Sequence, residues 1–172
     1  MLKPMLLRLQ TALGCDDLTQ QMVLLSKPKI PTLQAESSEQ TVEQTVNLVV
    51  GYNGSENSQA ALDLALWITH QTRLVNQNPV LVHVVYVVDQ TQPATLENAD
   101  RILWQARCLA SEWRGSLNAH LRFGKVATEL SRAAEETNAE FVLLGCRTSE
   151  HVLVQQMAQQ VPCSVLGLAR SP

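Results

Sequence analysis

A chain of 172 residues, 45% hydrophobic and 17% charged, has enough apolar material for one compact domain and a modest extension. Its formal net charge of -3, with 13 Lys and Arg residues scattered along the chain, excludes the concentrated basic face that nucleic-acid binding requires. No apolar run approaches the roughly 20 residues of a membrane-spanning helix, and Lys3, Pro4, Arg8 and Gln10 interrupt the stretch that a secretory leader would need, so a cytoplasmic location without stable membrane insertion is expected.

The first 25 residues carry Leu2, Met5, Leu6, Leu9, Ala12 and Leu13 at steps of three and four, the spacing of one helical face. This predicts a short amphipathic helix, suited to docking on the following domain or on a partner. Residues 26–45 are rich in Ser, Thr, Gln and Glu and hold two prolines, the composition of a flexible linker. The folded domain is therefore expected over 46–172.

From there apolar runs of strand length alternate with longer helical ones, a β-α-β-α order that implies a parallel sheet. The first strand, 46–52, is continuously apolar, as a strand covered on both faces must be. A Gly- and Asn-bearing turn at 51–55 follows, with Ser55 as helix N-cap, and Ala61, Leu62, Ala65, Leu66 and Ile68 keep helical spacing. A β-branched second strand spans 80–88. The next helix spans 96–113, and an alternating, edge-type third strand spans 116–123. Gly124 leads into a helix whose stripe is Val126, Ala127, Leu130, Ala133 and Ala134. A fourth strand at 141–145, a short helix at about 150–160 and a fifth strand at 163–168 complete the domain.

Cys15, Cys108, Cys146 and Cys163 show no C-x-x-C spacing and read as reduced structural thiols. Cys146 ends one strand and Cys163 begins the next, so adjacent parallel strands place them at opposite ends of the sheet, out of disulfide reach. His83 sits inside an apolar strand and reads as a hydrogen-bonded core residue. His70, His120 and His151 are isolated in sequence, and no metal-binding pattern joins them. Trp67, Trp104 and Trp113 stand on helices among aliphatic residues and are expected in core or interface packing. No nucleophile, acid and base are grouped as catalysis would need.

The run Leu48-Val49-Val50-Gly51-Tyr52-Asn53-Gly54-Ser55 resembles the opening strand and turn of the universal stress protein family. Leu81-Val82-His83-Val84-Val85, Gly124-Lys125-Val126, Phe141-Val142-Leu143-Leu144-Gly145 and Val161-Pro162-Cys163 resemble its later elements in order. The resemblance implies a doubly wound five-stranded parallel α/β sheet in the order 3-2-1-4-5, Rossmann-like, and membership of a family that commonly forms homodimers. The fifth strand, apolar and at a sheet edge, is expected to pair with a second copy.

Such sheets bind ligands where the winding reverses, between the first and fourth strands. The resemblance places a nucleotide there, with Asn53, Gly54, Ser55, Val85, Gly145 and Arg147 as its residues. ATP-binding members carry a G-x2-G-x9-G-S/T loop whose backbone cradles the phosphates. Here Gly145 matches, Thr148 stands at the second glycine, and a shortened loop puts His151 and Val152 where Gly and Ser/Thr belong. Asn53 replaces the family's aspartate. The site is thus expected to be degenerate, with ATP and AMP disfavoured, no metal, and Asn53, Gly54 and Ser55 serving as turn and cap. The expected function is that of a non-catalytic, dimeric stress-response module with an unidentified protein partner; the alternative is a nucleotide or small-molecule sensor at the same pocket.

Overall fold

The structure, a computed structural model, describes residues 22–26 (backbone only), 45–75, 79–89, 92–113, 117–148 and 151–169. Its elements are β1 (Met22–Ser26), β2 (Val46–Gly51), α1 (Glu56–Val75), β3 (Val80–Val88), α2 (Pro93–Glu112), β4 (Leu117–Phe123), α3 (Val126–Glu136), β5 (Phe141–Cys146), α4 (Val152–Gln160) and β6 (Ser164–Ala169). Residues 1–21, which carry the helical spacing, and 27–44, the body of the expected linker, lie outside the described residues. Between them β1 is a strand that the sequence reading did not include.

The sheet runs β1-β6-β5-β2-β3-β4. The five strands of the domain are parallel and stand in the order expected. β2 is central, and the chain leaves it in one direction through β3 and β4 and in the other through β5 and β6. Alternation along β2 divides the core. Leu48 and Val50 join α1 and α2 on one face, while Val49 joins α3 and α4 on the other, because successive strand side chains point to opposite faces. Both layers exclude water almost completely around β2, whose Val49 and Val50 are 0% exposed.

One expectation needs correction. The outer edge of β6 is not open: β1 lies along it antiparallel, with Met22 opposite Leu168 and Leu24 opposite Leu166, so a second copy meets an edge whose backbone groups are already paired. Trp67 is buried and Trp113 packs partly against the core, but Trp104 is 64% exposed. It follows the buried Ile102 and Leu103 on α2, and helical rotation carries it past the apolar stripe onto the solvent face. The register sets Cys146 opposite Ala169 and Phe141 opposite Ser164, which keeps Cys146 and Cys163 at opposite ends of their strands.

Candidate functional site

The C-terminal ends of β2 and β5 flank the point where the winding reverses, the expected position for a ligand cleft. After β2 the chain turns through Asn53, Gly54 and Ser55 into α1. Gly54 has φ +79°, a left-handed conformation that glycine adopts without a Cβ penalty. The Asn53 side-chain Oδ1 accepts the Ser55 N–H at 3.0 Å, and Ser55 Oγ accepts the Ser58 N–H at 3.3 Å, which makes Ser55 the N-cap of α1. Ser58, 3% exposed, closes the turn: its Oγ donates to the Ser55 carbonyl at 2.8 Å and accepts the Asn53 N–H at 3.3 Å.

Gly145 is required for a different reason. A Cβ built there would lie 2.2 Å from the Asn57 carbonyl carbon and 2.3 Å from the Ser58 nitrogen. The end of β5 therefore rests directly on the first turn of α1. The one glycine retained from the phosphate loop serves strand–helix packing.

Two adjoining cavities open at this end of the sheet, sharing Asn53, Gly145 and Leu153. The inner one, about 430 Å³, is walled mainly by apolar side chains, among them Val85, Val126, Leu130 and Leu144, with Tyr52 at its floor. Burial, reinforced by the Asp63 carboxylate, pushes the Tyr52 phenol above its ordinary pKa, so it stays neutral. The outer cavity, about 540 Å³, is polar, lined by Ser55, Glu56, Arg147 and His151. Glu56 stands in the first turn of α1 and lines this cavity. The His151 Nδ1 is buried with no hydrogen-bond partner among the described residues.

Of the residues the sequence singled out, Asn53 and Gly145 line both cavities, Val85 the inner one, and Ser55 and Arg147 the outer one. Gly54 faces away, with Ile102 of α2 3.4 Å from its Cβ position. Sequence reasoning put His151 in the shortened loop without giving it a role, and did not place Val126, Leu130 or Leu153 at the site. The apolar helix stripes signalled those residues as core only. The turn's N–H donors and the Ser58 hydroxyl are engaged locally, and Gly145 is packed against α1. No group of three or more His, Cys, Asp and Glu among the described residues is arranged to hold a metal ion.

A second polar cluster lies on the sheet face under α3. His83 Nδ1 is 3.2 Å from His120 Nε2, and His83 Nε2 is 3.2 Å from Asn47 Oδ1. With Asn47 Oδ1 as acceptor, His83 donates through Nε2–H and accepts the His120 Nε2–H at Nδ1. Arg122 and Glu136 form a bidentate ion pair nearby, which holds the Glu136 carboxyl below and the Arg122 guanidinium above their usual ranges.

Fold and cleft together define a doubly wound α/β protein with cavities at its switch point. The profile of the universal stress protein family matches residues 45–166, and the chain belongs to that family. A universal stress family protein from Burkholderia pseudomallei is 24% identical, with a TM-score of 0.58 over 72% of this chain and 96% of that one. The protein from Archaeoglobus fulgidus solved with dAMP is 16% identical, with a TM-score of 0.60 over 74% and 99%. One from Arabidopsis thaliana solved with AMP is 13% identical, with a TM-score of 0.58 over 73% and 92%. At these identities the likeness shows the fold. No curated protein gives a significant match. No described helix is long and apolar enough to cross a membrane.

Proposed function

We propose that this chain is a non-catalytic stress-response protein of its family, working through protein contacts, with a switch-point site that has lost tight nucleotide binding. The observation that carries this reading is the use made of the turn after β2. The N–H groups of Asn53, Ser55 and Ser58 and the Ser58 hydroxyl all donate within the turn and cap, so a bound phosphate would have to compete with the fold for them. Each charge-assisted hydrogen bond withheld from a phosphate is worth roughly 1.5–3 kcal/mol. Losing two or three weakens binding by about two to six decades.

Calorimetry with Mg-ATP, ADP and AMP tests it. No saturable binding below about 1 mM is expected, a level at which association is worth only ~4 kcal/mol. A micromolar dissociation constant, or nucleotide carried through purification, would overturn the degenerate-site reading.

A second reading, a sensor of a nucleotide or another small molecule, is favoured by the unpartnered His151 Nδ1 beside Arg147 in the outer cavity and by the relatives solved with AMP and dAMP. Both readings place the protein in the cytoplasm. The first also includes a homodimer through β6, which requires that β1 vacate the edge it occupies.

A further inference from the structure

β6 reads Ser164-Val165-Leu166-Gly167-Leu168-Ala169, without a charge or a proline. Natural edge strands carry charges, prolines or bulges that prevent pairing with another chain. Here the protection comes from a separate segment, β1, laid antiparallel along that edge. A two-fold axis passing beside β6 would bring in a second β6 antiparallel as well, so β1 stands where the second copy's strand would lie. From these two facts we infer that β6 is a self-pairing surface and β1 its removable intramolecular cover, setting whether the chain is a monomer or a dimer. This rests on the dimer proposed above and adds the segment that controls it.

The connection permits such exchange. Because β1 runs antiparallel to β6, Ser26 ends beside Val165, at the end of the sheet where β2 begins. Two strands, β6 and β5, lie between β1 and β2, so the gap is three strand spacings, about 14 Å. Residues 27–44 could span up to about 60 Å if extended. The number of residues between the two strands is far above the two to five of a tight hairpin turn. The cover is also imperfect, since its register shifts between Leu24 and Ser26, whereas β6 offers a second copy an unbroken six-residue strand.

Concentration decides the competition. A strand joined to its own edge by a short linker is presented at an effective concentration of the order of 1 mM. If β1 and a second β6 pair equally well, the tethered strand wins by about a hundred to one at 10 µM protein. The intact chain is then a monomer at ordinary concentrations, and loss of β1 releases a dimer.

The test compares the full chain with the double variant Val23→Pro, Leu24→Pro. Successive strand N–H groups point to opposite edges, so the pair removes one donor facing β6 whichever it is. Analytical ultracentrifugation at about 10 µM should give a monomer for the intact chain and a doubled mass for the variant. Amides of 164–169 should be protected from hydrogen exchange in both. A peptide of residues 20–28, added in excess, should return the variant to monomer. A monomeric variant with rapid exchange at 164–169 would overturn both the self-pairing surface and the dimer of the preceding reading. An intact chain already dimeric, and unchanged in the variant, would overturn the covering role while leaving a dimer in place. A variant without cooperative melting would show that β1 is part of the fold and would overturn the covering role too. In that case, protection at 164–169 in the intact chain that rises with protein concentration would retain self-pairing, and its absence would remove it.

Discussion

Nδ1 of His83 lies 3.2 Å from Nε2 of His120 across the seam between β3 and β4, so the two rings share one hydrogen-bonding proton. Burial is the main reason that each imidazole sits below its ordinary pKa. For His83 the second reason is His120 itself, and for His120 it is Arg122, partly offset by Glu136. A histidine whose folded pKa is depressed takes up protons more readily when unfolded. Its stabilising contribution is therefore complete above the unfolded value near 6.5 and is lost as pH falls below it. Glu136, held low by Arg122, loses its contribution only in the carboxylate range, so the two effects separate. The urea midpoint should fall between pH 7.5 and pH 5, and the double variant His83→Gln, His120→Gln should flatten that slope. An equal slope in wild type and variant would remove the pair as its source.

Gly145→Ala separates packing from ligand approach. The added methyl would meet backbone atoms of Asn57 and Ser58 at 2.2–2.4 Å, and those atoms move only if α1 shifts against β5. Overpacking of this kind costs about 1–3 kcal/mol, and a backbone obstacle places this case at the upper end. Chemical denaturation should show that loss without any nucleotide present. Unchanged stability would return Gly145 to a role in approaching a ligand.

Where burial dictated the chemistry, the sequence was legible. The unbroken apolar run of β2 announced a strand covered on both faces, and the five parallel strands stand in the order that the family resemblance implied. The turn at Asn53, Gly54 and Ser55 could be read as a cap because those side chains bond to atoms within a few residues of themselves. Two features were hidden because they depend on residues far apart in sequence. His83 and His120 are separated by 37 positions, and only the pairing of β3 with β4 brings them together. β1 is a five-residue apolar segment, Met22–Ser26, whose strand character comes from the β6 edge it pairs with, since propensity over so few residues decides little. The apolar wall of the inner cavity was hidden for a related reason: Val126 and Leu130 keep the same helical spacing whether they face a core or a pocket.

Cysteine reactivity offers a check on the fold that needs no ligand. Burial raises the Cys146 thiol and pushes the Cys163 thiol up to about 11, while Cys108 is exposed on α2. The thiolate is the nucleophile in alkylation, and access to it falls with burial as well. At pH 7.5 a thiol titrating near 11 is ionised about a hundredfold less than an ordinary one, before any effect of access. Brief treatment of the native protein with iodoacetamide, followed by mass spectrometry of its peptides, should therefore label the exposed Cys108 much faster than the buried Cys163. Cys146 should be slow as well. Denaturant should bring the three to similar rates, because unfolding removes both burial and the pKa difference. Rapid native labelling of Cys163 would mean that the start of β6 opens readily, and the covered, well-packed edge described here would not hold.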